Sequence, residues 1–213
     1  MFTGIVEEVG TVVGSRVGEQ SASLTVRAAT VLEDAGVGDS ILSDGVCLTI
    51  VELGGDRFTA DVMPETFERT TLAEKAIGAP VNLERALTLR SRLGGHLVTG
   101  HIDGVGTVTR VERRANAQVV WLTAPREVTT LCVGQGSLAV DGVSLTIVTT
   151  GQSELEVSLI PHTAAVTTLG ALRPGSRVNL EADLIAKYVA AFLGRAKPGE
   201  GLTWEKLAEA GFV

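Results

Sequence analysis

Two nearly identical blocks of eight residues carry different reactive side chains at the same position. DGVCLTIV spans residues 44–51, DGVSLTIV spans residues 141–148, and the only mismatch sets Cys47 against Ser144. Both side chains are small enough to be ordinary strand residues. Both can also act as nucleophiles or hydrogen-bond donors. On that second interpretation the blocks form two equivalent pockets with unequal chemistry, which suits a reaction in which two similar molecules play unequal roles.

Threonine hydroxyls recur around both blocks. Thr49 and Thr146 follow the mismatched position by two residues, so each lies on the same strand face as the Cys or Ser before it. Thr66 and Thr163 recur in two P-x-T segments further along the chain. These hydroxyls could bind a polar heterocycle, although threonine is also a favoured strand residue.

Two other polar residues depart from the repeat. His101 stands where the first copy has Ile5, and Asp183 stands where it has Ala86. A histidine can move protons near neutral pH. A lone histidine is also often a structural residue, and the sequence leaves both interpretations open.

The sequence motifs give little support for a metal site or a nucleotide site. The two cysteines and three histidines form no pair with recognised zinc spacing, and the spacing of His96 and His101 leaves a metal site open without supporting one. Residues 134–139 (GQGSLA) fit the dinucleotide fingerprint G-x-G-x-x-A. That fingerprint requires a helix directly after it, whereas the sequence that follows is typical of a strand and a hairpin. We therefore predict no Rossmann fold.

The elements that must position these residues come from an internal duplication. Four pairs of blocks recur at an offset of 96 or 97 residues and agree at 22 of 31 positions. The pairs are residues 3–12 with 99–108, 44–51 with 141–148, 64–72 with 161–169, and 81–84 with 178–181. Two copies with so long a period predict tandem domains, in contrast to the many short units of a solenoid.

Each copy reads as a set of short strands. Phe58, Ala60 and Val62 alternate with polar neighbours, as in a half-buried strand. The Asp-Gly pairs at 44–45 and 141–142 predict hairpins with type I′ turns, because both central residues of such a turn need positive φ. About six strands with turns every eight to twelve residues predict a small antiparallel barrel. Only PETFERTTL and its twin predict a helical turn.

A longer helical pattern begins after Asp183. Residues 184–193 place apolar side chains at helical spacing, and Gly194 is the expected end of this helix. Thr203 could cap a second short helix that reaches Gly211. We predict an N-terminal barrel at 1–86, a linker at 87–96, a C-terminal barrel at 97–183 and a helical oligomerisation segment at 184–213.

The composition limits the kinds of partner that we expect the chain to bind. The net charge is −7 and no run of Lys and Arg accumulates, so we expect no nucleic acid and no membrane partner. Cysteine is scarce and the N-terminus lacks the features of a signal peptide, which predicts a cytoplasmic location.

The joint pattern resembles the riboflavin synthase family, alpha-chain type, over practically the whole chain. The motifs that carry the resemblance are MFTGIVE, DGVCLT, GGHLVTGHID, DGVSLT, IPHT and VNLEAD. The resemblance implies an all-β fold of two tandem six-stranded antiparallel Greek-key barrels plus a C-terminal α-helix, with three chains joined as a homotrimer. It also implies conversion of two molecules of 6,7-dimethyl-8-ribityllumazine into riboflavin and 5-amino-6-ribitylaminouracil by transfer of a four-carbon unit, with no metal or redox cofactor.

The resemblance further implies two pockets, one in each barrel, and a complete site that pairs the first barrel of one chain with the second barrel of its neighbour. The first pocket would use Gly4, Ile5, Val6, Cys47, Leu48, Thr49, Asp61, Val62, Met63, Pro64, Glu65 and Thr66. The second would use Gly100, His101, Ile102, Gln135, Ser144, Leu145, Thr146, Ser158, Leu159, Ile160, Pro161, His162 and Thr163.

Roles follow from the same resemblance. It implies that His101 with Ser144 or Thr146 handles protons, that Cys47 and Asp183 serve the partner molecule, and that Phe2 positions the substrate. Many relatives have Lys where this chain has Gln135, so a neutral amide must serve there. The alternative is a non-catalytic lumazine-binding or flavin-binding protein of the same fold. A flavin reductase would need a nucleotide domain for which the length leaves no room.

Overall fold

The computed structural model describes residues 1–17, 22–195 and 208. Its first unit contains strands β1 Glu8–Val17, β2 Ala22–Arg27, β3 Ser40–Ser43, β4 Val46–Gly54, β5 Arg57–Val62 and β6 Pro80–Arg85, with helix α1 at Pro64–Arg69. Its second contains β7 Gly104–Arg114, β8 Ala117–Thr123, β9 Ser137–Val140, β10 Val143–Thr150, β11 Glu154–Leu159 and β12 Arg177–Ala182, with helices α2 Arg126–Thr129 and α3 Pro161–Val166. Helix α4, Leu184–Arg195, follows.

Both units close into antiparallel barrels with the same strand order. The first barrel runs β1-β2-β5-β4-β3-β6, and the second repeats this order with the equivalent strands. Strands β3, β4 and β5 are sequential neighbours, whereas β2 pairs with β5, so the chain crosses over between β2 and β3 as in a Greek key. The predicted all-β pair of six-stranded barrels is confirmed, and closure leaves no free sheet edge.

The hairpins that carry the repeated blocks have the predicted turns. Asp44 and Gly45 have φ of 44° and 82°, and Asp141 and Gly142 have φ of 43° and 77°. Positive φ at both central residues defines the type I′ turn, which matches the twist of the flanking strands. In the first barrel this turn joins β3 to β4, and in the second it joins β9 to β10.

Each barrel has its own apolar core, formed by the inward side chains of its strands. Phe58, Leu24 and Ile50 are among the fully buried residues of the first core, and Leu122, Leu155 and Ile147 are among those of the second. Burial of each such side chain stabilises the fold by about 1.5–3 kcal/mol. The strand faces that point away from these cores are therefore free to carry chemistry.

A pseudo-twofold set of hydrogen bonds joins the barrels. The Asn82 amide nitrogen donates to the Asp141 carbonyl oxygen at 3.0 Å, and the Asn179 amide nitrogen donates to the Asp44 carbonyl oxygen at 2.8 Å. Both asparagines are almost completely buried. A Cβ on Gly45 would lie 2.8 Å from the backbone nitrogen of Gly142, so the two turns can touch only because both carry glycine there. Each asparagine thus bonds to the hairpin turn of the other barrel.

Helix α4 follows the second barrel and is tied to it at its start. Asp183 caps the helix, because its Oδ1 accepts the N–H of Ile185 at 2.8 Å. Lys187 forms an ion pair of 2.7 Å with Asp103. Gly194 lies inside the helix, so the expected end at that residue is wrong. Except for residue 208, the second helix expected from Thr203 to Gly211 lies outside the described residues. No described helix is long and apolar enough to cross a membrane.

Candidate functional site

The repeated block of the first barrel presents two functional side chains on its outer face. Val46, Leu48 and Ile50 are buried in the core, while Cys47 is half-buried and Thr49 is exposed. Thr49 pairs across the ladder with Asp61 of β5, which is also exposed. The two-residue spacing therefore places the thiol, the hydroxyl and the carboxylate on one strip of surface.

The second barrel repeats this arrangement with different groups. Ser144 is half-buried and Thr146 is exposed on β10, and Ser158 of β11 is half-buried beside them. The strip carries three hydroxyl groups and no ionisable side chain, whereas the first strip carries a thiol and a carboxylate. The outer faces are equivalent in geometry and unequal in chemistry.

Each strip is covered by a segment that belongs, in sequence, to the other copy. The backbone N–H of Ser144 donates to the carbonyl oxygen of Gly4 at 2.7 Å, and the N–H of Cys47 donates to that of Gly100 at 3.0 Å. Side chains follow the same crossing, because Val6 packs against the second core and Ile102 packs against the first. The 3–6 segment thus lies on the second barrel, and the 99–102 segment lies on the first.

This crossing corrects the grouping that the resemblance implied. We expected Gly4, Ile5 and Val6 to lie with Cys47, and residues 100–102 to lie with Ser144. Within one chain the reverse holds, because both segments precede the first strand of their barrel and extend across the interface. His101 is exposed on the segment that covers Cys47, so within one chain it lies with the first strip.

Two buried glutamates fix the covering segments. Glu84 accepts hydrogen bonds from the N–H of Thr3 at 2.7 Å, from its hydroxyl at 2.7 Å and from the N–H of Gly4 at 2.9 Å. Glu181 accepts the equivalent three bonds from Thr99 and Gly100, at 2.7, 2.6 and 2.9 Å. Burial raises the pKa of Glu84, and the three hydrogen bonds oppose that rise.

The glycines of these segments are required by both conformation and space. Gly4 and Gly100 have φ of 74° and 83°, which side chains with a Cβ rarely adopt. A Cβ on Gly4 would lie 2.7 Å from Cβ of Ser144, and one on Gly100 would lie 2.8 Å from the backbone nitrogen of Cys47. Close approach of the segment to the strip therefore depends on glycine.

Phe2 anchors the N-terminal segment from behind. Its side chain is fully buried in a small cluster with Leu42, Val98 and Ala139, against which Cys47 packs. Its backbone forms a bridge with Val98, with N–H to oxygen distances of 2.8 and 3.1 Å. Phe2 therefore positions residues 3–6 from within the protein.

Asp183 belongs to the second barrel. It follows β12, which pairs with β9, the neighbour of Ser144 in the sheet. Burial lowers the pKa of His96, and the charge of Asp183 opposes that change. The role that the resemblance implies for Asp183, to serve the partner molecule as Cys47 does, stays a prediction.

The structure contains a contact between His96 and Ser144 that the sequence did not predict. Nδ1 of His96 lies 2.7 Å from Oγ of Ser144, and the imidazole is buried. The repeat comparison could not find this residue, because His96 lies in the linker outside the repeated blocks. The glycine pair that precedes His96 was the only local sequence feature that could have pointed to this residue.

The other predicted site residues fall into buried, half-buried and exposed groups. The side chains of Leu48, Val62, Leu145 and Leu159 point into the barrel cores, so only their backbone groups can reach a ligand. Those of Ile5, Met63, Glu65, Gln135, Ile160, Pro161 and His162 are exposed, and those of Pro64, Thr66 and Thr163 are half-buried. Gln135 has φ of 66° and donates its N–H to Ile147 at 2.8 Å, so a side chain stands where the first copy has Gly38.

Two pockets formed by the described residues do not coincide with the strips. One of about 670 Å³ lies between the first barrel and the linker, lined by residues that include Ile5, Ser40, Ala86 and Gly94. Another of about 450 Å³ shares only Leu159 and Pro161 with the predicted second pocket. We place the site on the strips, because they combine converging polar groups with equivalent positions in both barrels, which neither pocket does.

Comparison with known proteins identifies the family of the chain. A family model described as "Lumazine binding domain" matches residues 3–86 and 99–183. The riboflavin synthase of Bacillus subtilis (strain 168) is 42% identical over 215 residues, covering 100% of both chains. The chain belongs to the riboflavin synthase family. The riboflavin synthase of Mycobacterium bovis is 48% identical over 200 residues, covering 92% of this chain and 100% of the relative.

Solved structures agree with this family assignment. LumP complexed with 6,7-dimethyl-8-(1'-D-ribityl) lumazine has a TM-score of 0.77 and 27% identity, covering 85% of this chain and 99% of LumP. LumP complexed with riboflavin gives a TM-score of 0.79. The resemblance read from the sequence is confirmed. Each matched unit begins at a threonine that a buried glutamate holds, so the region matched by the family model includes the crossed segments.

Proposed function

We propose that the chain catalyses the conversion of two molecules of 6,7-dimethyl-8-ribityllumazine into riboflavin and 5-amino-6-ribitylaminouracil. Relatives across the full chain are named riboflavin synthase, which makes this an enzyme of the transferase class. The observation that carries the proposal is the pair of strips, equivalent in position and unequal in chemistry. Two copies of one substrate can occupy such a pair, with one as donor and the other as acceptor of the four-carbon unit.

The strips supply the groups that a pteridine-like ring and a ribityl chain need. Backbone N–H and C=O groups beside Thr49 and Thr146 can pair with the ring amides, and the threonine hydroxyls can bind ribityl hydroxyls. Ile102 and Val6 supply an apolar surface at the two sites. Stacking of the two lumazines would then align the reacting carbons, which can lower the barrier by several kcal/mol, up to about 7–11 kcal/mol.

Proton movement is assigned to the polar side chains on the strips. The C7 methyl of the lumazine is acidic, because its carbanion delocalises into the ring, so a modest base suffices. Ser144 and Thr146 are the candidates at the second site, with Asp183 nearby. Cys47 and His101 are the candidates at the first. No step requires a metal or a redox group.

Assembly completes the site in this proposal. Three copies associate through α4, and the first strip of one chain faces the second strip of its neighbour, so that each complete site holds two lumazines. Supporting this, α4 carries an apolar face that is exposed among the described residues, formed by Ile185, Tyr188, Val189, Phe192 and Leu193, each 50–71% exposed. The charge balance and the two free cysteines favour a cytoplasmic location.

The proposal is tested by incubating the purified full chain with the lumazine as sole substrate, without added metal or nucleotide, and following riboflavin fluorescence. We expect multiple turnovers. A Ser153→Ala variant, altered at an exposed serine of the second barrel away from the strip, should match the wild type. Ser144→Ala should be slower. Tight binding of lumazine without riboflavin formation would overturn the proposal in favour of a carrier protein.

A further inference from the structure

The two P-x-T helices, α1 and α3, end in the same way. In the first barrel, the Thr70 hydroxyl donates to the carbonyl oxygen of Thr66 at 2.7 Å and accepts the N–H of Leu72 at 3.3 Å. In the second, the Thr167 hydroxyl donates to the carbonyl oxygen of Thr163 at 2.7 Å. The hydroxyl closes the last turn of each helix, so the position of the helix end determines the position of its site threonine.

The residue after each of these threonines is held by an asparagine of the opposite barrel. The N–H of Thr71, just beyond α1, donates to Oδ1 of Asn179 at 2.8 Å. The N–H of Thr168, just beyond α3, donates to Oδ1 of Asn82 at 2.8 Å. Asn179 lies on β12 of the second barrel, and Asn82 lies on β6 of the first. The end of each P-x-T helix is therefore fixed by the other copy.

One side-chain amide thus joins two elements of the opposite barrel. Asn179 accepts the N–H of Thr71 through Oδ1 and donates to the carbonyl oxygen of Asp44 through Nδ2 at 2.8 Å. The turn that contains Asp44 leads directly into the strand of Cys47. Because a backbone N–H can only donate and a C=O can only accept, no other orientation of the amide satisfies both partners. The placement of α1 relative to β4, and with it the shape of the predicted first pocket, depends on this amide.

Each asparagine is itself fixed by the hairpin turn of its own barrel. Asp141 donates its N–H to the Asn179 carbonyl oxygen at 2.9 Å, and its Oδ1 accepts the Asn179 N–H at 2.7 Å. Asp44 forms the same two bonds with Asn82, at 2.9 and 2.8 Å. None of these bonds uses the side-chain amide of the asparagine. A substitution at either asparagine therefore leaves the hairpin of its own barrel in place and removes only the bonds to the opposite barrel.

We propose that Asn82 and Asn179 are positioning residues, each for the strip of the opposite barrel. Asn179 holds the first strip and helix α1 at the separation that a bound lumazine needs, and Asn82 does the same for the second strip and helix α3. This inference rests on the proposed function. Both amides are buried against backbone partners, so they act through those elements and take no part in proton transfer.

A riboflavin titration of the full chain tests this role, with the backbone amide resonances of Thr49 and Thr146 reporting the two strips separately. Asn179→Ala should raise the dissociation constant for riboflavin about 10-fold at the first strip and leave the second unchanged. Asn82→Ala should do the reverse. Asn116→Ala, altered at an exposed asparagine of the second barrel, should match the wild type at both strips. Equal weakening of both strips, or weakening in the asparagine's own barrel, would overturn the inference, because a general loss of stability does not select the opposite barrel.

A milder variant decides the question if the alanine variants do not fold. Asn179→Ser leaves room for a water molecule that can bond to the freed N–H and C=O groups, so the chain should fold while α1 and β4 lose their fixed separation. It should weaken riboflavin binding at the first strip alone. If the wild type converts lumazine but the opposite strip is not weakened, the asparagine inference fails. If the opposite strip is weakened as expected but the wild type forms no riboflavin from lumazine, the proposed function fails instead.

Discussion

The N–H of Ser144, in the second barrel, donates to the carbonyl oxygen of Gly4, which precedes the first barrel, at 2.7 Å. The equivalent bond from Cys47 to Gly100 crosses in the opposite direction at 3.0 Å. Each strip is therefore completed by the segment of the other copy. Neither barrel alone therefore contains both a strip and the segment that covers it.

The crossed glutamates give the first prediction. Glu181 belongs to the second barrel, yet it holds the segment that covers Cys47, and Glu84 does the reverse. Replacing either by Gln places an amide NH₂ against N–H donors and loosens the segment. Glu181→Gln should raise the dissociation constant for riboflavin at the first strip about 10-fold and leave the second unchanged.

The two sites are distinguished by the backbone amide resonances of Thr49 and Thr146 during a riboflavin titration. Glu84→Gln is the matched control, because it should affect the Thr146 site alone. Weakening of the site in the glutamate's own barrel would contradict the crossed arrangement.

The covering segments also predict which glycines tolerate alanine. Gly100→Ala forces φ of 83° on a residue with a Cβ and brings that atom within 2.8 Å of the Cys47 nitrogen. We expect a loss of about 1–3 kcal/mol in unfolding free energy and much weaker binding at the first strip. Gly54→Ala is the control, since nothing lies within 4 Å of its added Cβ and its φ is not positive. Equal urea midpoints for the two variants would show that the close approach is not a constraint.

A single lysine compensates two buried aspartates where the hairpins meet. Lys75 forms an ion pair with Asp44, and Asp141 lies close enough for their charges to interact. Burial raises the pKa of both carboxyls, most strongly that of Asp141. The folded state therefore binds protons more tightly than the unfolded chain, and these groups lose stabilising free energy as pH rises through the raised pKa.

Lys75→Met should lower the unfolding free energy by about 3–5 kcal/mol at pH near 8, because it leaves a buried charge unpaired. The loss should shrink toward pH near 5, where the aspartates can bind protons. Asp141→Asn retains the oxygen that accepts the N–H of Asn179 and should be more stable than wild type at the higher pH. Urea titrations at both pH values check this. A Lys75→Met loss that is equal at the two pH values would be inconsistent with carboxyl compensation.

The apolar face of α4 predicts the oligomeric state. The apolar residues 185, 188, 189, 192 and 193 recur at helical spacing and are exposed in the described part of the chain, and in the proposed assembly a neighbouring chain covers them. Phe192→Glu should reduce the mass measured by light scattering from three chains to one and lower the specific activity. Ala190→Glu is the control, because Ala190 is exposed but outside this series. A single-chain mass for the wild type would exclude the assembly.

The sequence was sufficient to predict the two barrels and to identify which residues of the two copies are equivalent. Repeated blocks identified Cys47 with Ser144, period-two alternation placed Thr49 on the face of Cys47, and the Asp-Gly pairs predicted the turns. These features depend on local backbone preference and on core burial, which sequence patterns record.

The crossing of the segments could not be predicted in this way. A repeat shows which residues are equivalent, but it does not show which barrel a segment will contact. That choice depends on how the barrels pack, through Asn82, Asn179 and the glycine contact of the two turns. His96 was missed for a related reason, since a residue outside the repeated blocks has no twin with which to be compared.

The most direct test of the account is the stoichiometry of the reaction. Purified full-length protein is given a known amount of 6,7-dimethyl-8-ribityllumazine, and all pyrimidine and flavin products are quantified by chromatography at completion. The account predicts that two lumazines disappear for each riboflavin, with one 5-amino-6-ribitylaminouracil formed. Lumazine recovered unchanged from a stable complex, or riboflavin formed without an equal amount of the pyrimidine, would contradict a transfer between two unequal sites.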